Sequence, residues 1–279
     1  MNRYVKAEIT GNLSAGGNYR LLSLKCPDTG RKPKAGQFYM VQVRDGSDPL
    51  LKRPFSLFRK TAEGIQLLYR IQGKGTAILG ELAAGALVHL LGPLGNGFPV
   101  QGNAPDEGTA PVIIAGGIGI ASVFPLIEAM SGRATVIYGA RTGDDLLMVD
   151  EVQGLSGALH ICTDDGSRCE RGNVVDLLKR LLPPDSGSMP RIYACGPKPM
   201  LRAVSEFALP RGIKAYLSLE EHMACGIGAC LGCVVKIKAR DAGDTGQKDE
   251  KQAQGTAKYG TYQRICMEGP VFDAEDIIW

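Results

Sequence analysis

A chain of 279 residues with 32 Lys and Arg against 29 Asp and Glu carries a formal net charge of +3, and a chain of this length accommodates two domains and a small appendage. Charged residues make up 22% of it and no Lys/Arg cluster is interleaved with aromatics, so nucleic acid is not a favoured partner. Eight cysteines in a large chain that opens Met-Asn-Arg-Tyr-Val-Lys, without an apolar leader, point to reduced thiols and make the cytoplasm the expected compartment.

In chain order, residues 5–10, 19–24, 38–43, 55–58, 65–71 and 87–90 read as short strands separated by turn residues, which predicts an antiparallel β-barrel over residues 1–102. The one helical pattern in this part is 76–82. Arg53-Pro54-Phe55-Ser56 sets a guanidinium, a rigid bend, an aromatic ring and a hydroxyl side by side, a kit suited to a flavin and its phosphates. Gly73-Lys74-Gly75-Thr76 opens the short helix, whose free N–H groups and positive dipole end suit a pyrophosphate. A charged turn and a helix cap explain each tetrapeptide equally well. The stretch 91–98, Leu-Gly-Pro-Leu-Gly-Asn-Gly-Phe, reads as an irregular turn beneath the flavin or as a linker, and the Gly-, Pro- and acid-rich run 100–109 is the expected domain boundary.

Residues 103–215 read as alternating βα units of a Rossmann-like parallel sheet that binds NAD. Pro111 to Ala115 is an unbroken apolar run of the buried-strand type, followed by a turn with Gly116, Gly117 and Gly119 and a helix over 120–130. The uncharged stretch 109–127 is long enough to cross a membrane, but three glycines and Pro125 make it a strand, a turn and a helix, so no membrane span is expected. The pattern is G-G-x-G rather than G-x-G-x-x-G, so the dinucleotide fingerprint is not met; a glycine turn without a ligand remains the alternative. Further strands are expected at 135–138, 159–163 and 191–194 and a helix at 174–182, and the distinctive clusters fall at the carboxyl ends of strands, where ligands of such sheets bind. Asp164 and Asp165 follow one of them: carboxylates accept ribose hydroxyls and repel a 2′-phosphate, which favours NAD over NADP, although Arg141, Arg168 and Arg171 share these loops. Cys195-Gly196-Pro197 ends another.

Residues 216–279 form a C-terminal module. Cys225, Cys230 and Cys233 stand in the C-x4-C-x2-C spacing of plant-type ferredoxins, and Cys266 is the one downstream cysteine that completes four thiolates for a 2Fe-2S cluster. Gly226, Gly228 and Gly232 allow the loop to wrap tightly and aim backbone N–H groups at sulfur. A structural zinc site is the alternative, yet zinc ribbons usually carry two C-x2-C pairs and only one is present. Between Cys233 and Cys266 the run 238–258 holds five Lys or Arg, four acids and no apolar side chain larger than alanine, which reads as a solvated insert that can also offer a docking surface. His89 and His160 fall in strands, and His222 precedes the cysteine loop; two histidine ligands, as a Rieske centre needs, are not at hand.

A nicotinamide gives two electrons as a hydride and an iron–sulfur cluster takes one, so a flavin between them converts pairs into single electrons. Arg53 to Ser56, the later Gly75-Thr76 and Ala35-Gly36-Gln37-Phe38 resemble the FAD domain of the ferredoxin reductase superfamily, which implies that Arg70, Ile71 and Gln72 also bind the flavin and that Cys195 lies at the hydride-transfer site. Nearly the whole chain resembles the electron transfer subunits of type B dihydroorotate dehydrogenases, most specifically in Cys-Gly-Ile-Gly-Ala-Cys-Leu-Gly-Cys-Val-Val at 225–235 and Cys-Met-Glu-Gly-Pro-Val-Phe at 266–272. That resemblance implies FAD and a 2Fe-2S cluster carrying electrons from an FMN-containing, dihydroorotate-oxidising subunit to NAD in pyrimidine biosynthesis, within a heterotetramer of two subunits of each kind. The insert at 238–258 is longer than the link expected of that family. A subunit serving another partner, of the sulfhydrogenase or ferredoxin reductase type, and a zinc-stabilised nucleotide-binding regulator are the alternatives.

Overall fold

Period-two alternation of apolar and polar side chains over residues 3–94 produces six strands that close on themselves. The computed structural model describes residues 3–27, 32–99, 111–183, 189–238 and 261–279; the expected boundary at 100–109 and the insert at 238–258, apart from Lys238, lie outside them. The barrel strands are β1 (Arg3–Ser14), β2 (Tyr19–Lys25), β3 (Phe38–Gln42), β4 (Arg53–Lys60), β5 (Gly64–Arg70) and β6 (Leu87–Leu94), ordered β1-β2-β5-β4-β3-β6 and paired antiparallel throughout. Ile9, Leu22, Val41, Leu57, Leu67 and Leu90 fill the interior. Helix α1 (Lys74–Glu81) follows β5 as expected.

The second unit is a seven-stranded sheet. Its strands are β7 (Val112–Gly116), β8 (Thr135–Ala140), β9 (Ala158–Thr163), β10 (Glu170–Arg171), β11 (Ile192–Cys195), β12 (Ala215–Ser218) and β15 (Val271–Asp273), in the order β10-β9-β8-β7-β11-β12-β15. All pairs are parallel except β12 with β15. Alternate residues of the apolar strands face opposite ways. Ile113, Val136 and Tyr193 pack under α2 (Ile120–Met130) and α3 (Val149–Leu155), whereas Ile114, Ile137 and Ile192 pack under α4 (Val174–Leu181) and α5 (Lys198–Ala208). Of the stretch 109–127, residues 112–116 form β7, 117–119 a tight turn, and 120 onward the first part of the buried 11-residue helix α2, and no helix among the described residues is long and apolar enough to cross a membrane.

Helix α5 and strand β12 have no counterpart among the sequence expectations. The division expected between 215 and 216 falls within β12, and β15 returns from the C-terminal module to become the outer strand of the same sheet. A short antiparallel pair, β13 (Val234–Lys236) with β14 (Tyr262–Arg264), spans the insert.

The stretch 91–98, expected as an irregular turn or linker, is half strand: residues 91–94 complete β6, and Asn96 beyond it joins the barrel to the C-terminal module. The Asn96 side-chain amide donates to the Glu268 and Val271 carbonyls at 2.6 and 3.1 Å and accepts from the Val271 N–H at 3.1 Å. Asn96→Ala removes all three bonds at once and is expected to destabilise the protein by about 1–3 kcal/mol. A urea midpoint equal to that of the unaltered protein would show that apolar packing alone holds the joint.

Candidate functional site

The barrel supplies the first wall of the site. β4 begins with Arg53 to Ser56, and α1 begins beside it, so close that a Cβ at Gly75 would run into the Arg53 guanidinium. Among the described residues no carboxylate lies within ion-pair distance of Arg53, which leaves its charge, together with the free N–H groups of the helix start, for an anion. The Thr76 hydroxyl accepts the Gln72 and Gly73 N–H groups at 2.9 and 3.1 Å and fixes this turn. Arg53, Pro54, Phe55, Ser56, Arg70, Gln72 and Thr76 all line one cavity of about 320 Å³, closed on its other side by Ile118 and Ala121 of the second unit and by Glu220, Met223 and Pro270. Ile71 instead packs on Gly80 of α1, and Gly75 serves as the seat of Arg53. The Arg53 guanidinium also donates to the Leu51 carbonyl, and a cavity with this cation, free of a carboxylate partner among the described residues, at a helix start beside a hydroxyl and apolar walls fits a flavin dinucleotide.

The second cavity lies where the strand order reverses, between β7 and β11. Gly116, Gly117, Gly119, Gly196 and Pro197 all line this cleft of about 420 Å³. Gly117 has φ of +52°, and a Cβ on Gly119 would collide with the Cys195 carbonyl, so these positions hold the turn close against the neighbouring strand. Asp165 does not line the cleft: its carboxylate accepts the Ser167 N–H and hydroxyl at 2.9 and 2.6 Å, bonds that hold its pKa below the usual carboxylate range. Asp164 and Arg141 do line it.

Cys195 stands behind this wall, fully buried, its sulfur 4.0 Å from Glu220 Oε1. Burial, and secondarily the Glu220 charge, pushes its thiol up to about 12, which excludes it as a thiolate nucleophile. Glu220 is exposed to both cavities, and the protein atoms crowded around its carboxylate raise its pKa by desolvation. The two cavities share Arg70, Ile118 and Glu220. Glu220, Tyr19 and Asp145 carry no motif in the sequence, and Ile118 is the unspecified position of the Gly-Gly-x-Gly turn; no sequence signal points to Glu220, because it follows a strand, β12, that the sequence did not reveal.

The cysteine loop forms the third part. Gly226 and Gly228 have φ of +70° and +77°, which turns the loop so that the Ile227 and Cys230 N–H groups donate to the Cys225 sulfur at 3.4 Å each and the Gly228 N–H donates to the Cys266 sulfur at 3.2 Å. Pairing of β13 with β14 continues in a bond from the Ile265 N–H to the Cys233 carbonyl at 2.9 Å, and an Arg264–Glu268 ion pair braces the turn around Cys266. The thiols fall into two pairs, Cys225 with Cys230 and Cys233 with Cys266. Burial works to raise the Cys225 thiol, but hydrogen bonds from the Ile227 and Cys230 N–H groups outweigh it and bring it down to about 7; burial and the neighbouring Cys233 push Cys266 up to about 12. Two pairs of thiols suit two bridged irons, each holding one pair. Of the three histidines, His89 and His160 lie in strands and His222 is exposed.

Barrel, switch-point cleft and paired thiols together define an NAD-linked flavin and iron–sulfur oxidoreductase on a ferredoxin-reductase fold. Residues 113–206 match the family profile described as oxidoreductase NAD-binding domain, and residues 220–248 match that of the iron-sulfur cluster binding domain of dihydroorotate dehydrogenase B. The chain is 34% identical, over 90% of its length and 89% of the relative's, to the dihydroorotate dehydrogenase B (NAD(+)) electron transfer subunit of Caldanaerobacter subterraneus subsp. tengcongensis, and 33% identical over the full length of both chains to that of Desulforamulus reducens. It belongs to this family of electron transfer subunits. Among solved structures, an NADH-dependent reduced ferredoxin-NADP oxidoreductase superposes with a TM-score of 0.78 at 24% identity, covering 98% of this chain and 90% of that one, a likeness of fold.

Burial makes a chemical prediction. At pH 8 iodoacetamide is expected to label exposed Cys169 and to spare Cys195 and Cys162, whose thiols burial raises to about 12 and about 11, until the chain is unfolded. Mass mapping of alkylated peptides checks this, and labelling of Cys195 in the native protein would contradict its placement.

Proposed function

We propose that this chain carries electrons between NAD and an FMN-containing, dihydroorotate-oxidising partner, with FAD in the barrel cavity and a 2Fe-2S cluster held by Cys225, Cys230, Cys233 and Cys266. The observation that carries this reading is the sharing of walls. Arg70, Ile118 and Glu220 belong to both cavities, and Met223, on the flavin side, is two residues from Cys225, so their α-carbons lie within about 7 Å. Bound flavin supplies the exchange between a hydride pair and single electrons.

The chain's own groups set the terms of that exchange. Arg53 and the start of α1 offer positive charge to the flavin's phosphates, and Ser56 offers a hydroxyl to its ring or ribityl oxygens. The glycine turn at 116–119 receives the nucleotide pyrophosphate, and Gly196 and Pro197 form the wall for the nicotinamide with Cys195 as their buried backing. Asp164 on the cleft wall repels a 2′-phosphate and favours NAD, with its neighbour Asp165 holding the turn. Exposed Ile227, Leu231 and Met267 surround the thiol loop and give the partner an apolar seat. The working assembly is a cytoplasmic heterotetramer of two subunits of each kind.

Two measurements test this. Cys266→Ser is expected to abolish the broad iron–sulfur absorption and the reduced-cluster EPR signal while the flavin bands and flavin reduction by NADH persist; a colourless wild-type protein containing zinc would overturn the reading. Co-expression with the FMN-binding subunit followed by size exclusion with light scattering should give the mass of two subunits of each kind, and Ile227→Asp should dissociate the complex without loss of cluster. Recovery of a different stoichiometry would overturn that part alone.

A further inference from the structure

β4 and α2 face each other across the flavin cavity. β4 contributes Arg53 to Ser56 at one end, and α2 follows the nucleotide turn and contributes Ala121. Beyond the cavity the same two elements are bolted together. Phe58 of β4 stacks on Phe124 of α2 with ring centroids 4.2 Å apart, and the Arg59 guanidinium lies 4.8 Å over the Phe124 ring. That guanidinium donates through Nε to Glu128 of α2 at 2.6 Å and through Nη2 to Glu151 of α3 at 2.5 Å. Side-chain exposures of 26% for Arg59, 31% for Glu128 and 40% for Glu151 make this a partly shielded network and not a solvated surface pair. Glu128 lies seven residues after Ala121, about 10 Å along the helix. A tilt of α2 at the Arg59 end therefore moves Ile118 and Ala121 against the opposite wall of the cavity.

We infer that Arg59 is a positioning residue for electron exchange between nicotinamide and flavin. By clamping α2 and α3 to β4 it sets the spacing between the barrel cavity and the nucleotide cleft, and neither cofactor touches it. The inference rests on the proposal that the two cavities hold FAD and NAD. Displacements on the scale of 1 Å cost such reactions up to about a hundredfold, so loosening this clamp acts on rate before it acts on binding.

The test compares Arg59→Ala, Arg59→Lys and Glu128→Gln with the wild-type holoprotein. Arg59→Ala is expected to keep flavin and cluster content but to lose about tenfold or more in the rate constant for reduction of bound flavin at saturating NADH, with KM changed less than kcat. Arg59→Lys, which keeps the charge but not the fork, should recover part of the loss, and Glu128→Gln should fall between. Independently of turnover, hydrogen exchange should rise in 53–60 and 118–124, and the long-wavelength charge-transfer absorption between reduced flavin and NAD+ should weaken. Should Arg59→Ala fail to fold, the lysine and glutamine variants carry the same expectations. A rate constant per bound flavin within twofold of wild type in all folded variants overturns the inference, even if thermal stability falls. A wild-type flavin that NADH does not reduce overturns the functional proposal itself, and this inference with it.

Discussion

The antiparallel pairing of β15 with β12 is the contact on which the arrangement depends. It sets Ser218 opposite Val271 and is extended by a hydrogen bond from the Leu219 N–H to the Pro270 carbonyl at 2.9 Å. The sheet's own connectivity would end at β12, with residues 219–233 running off its edge. Because β15 returns to that edge, Glu220, Met223 and Pro270 are gathered on one wall of the flavin cavity, and the turn carrying Cys266 reaches the loop carrying Cys225. Pairing of β13 with β14 closes the chain on both sides of the insert, and the cost of closing a longer loop rises only slowly with its length.

Electrostatics then distinguishes the three parts. Around the thiols, backbone N–H groups from Ile227, Gly228, Cys230 and Gly232 point at sulfur and offset the cost of holding negative charge in a partly buried loop. At the barrel end a guanidinium and a helix start accumulate positive charge. Between them Cys195, Ser122 and Ser218 are buried, the Ser122 and Ser218 hydroxyls lie 3.2 Å apart, and the one charge close by is the Glu220 carboxylate, 4.0 Å from the Cys195 sulfur.

Three separate joints tie the barrel to the rest. Asn96 binds the C-terminal module, Arg59 binds α2 and α3, and the Tyr19 hydroxyl donates to Asp145 at 2.7 Å at the margin of the nucleotide cleft. Burial raises the Tyr19 phenol to about 12, with the Asp145 bond adding to it, so the proton that makes this bond is retained across the physiological range. Each joint ends on a charged or carbonyl oxygen and joins residues more than 60 positions apart in the chain.

Local pattern determined much of this protein. Period-two runs fixed the barrel strands, and the unbroken apolar run at 111–115 with its glycines fixed the strand, turn and helix of the nucleotide half, because each of these depends on residues close in the chain. Helix α5 and strand β12 were absent from the expectations for different reasons: α5 carries a start signal in Pro199 and an apolar face of Leu201, Val204, Phe207 and Ala208 that the adjoining Cys-Gly-Pro turn overshadowed, whereas β12 is four residues long. Residues that act through partners far away in sequence were equally silent. Asn96, Arg59, Tyr19 and Glu220 are ordinary residues until folding brings them to partners 25 to 175 positions away. Of the two acids at 164 and 165, only tertiary structure decided which faces the cleft, since the turn that binds Asp165 to Ser167 turns its neighbour inward. Sequence spacing specified which groups are present, and packing between units decided which of them meet.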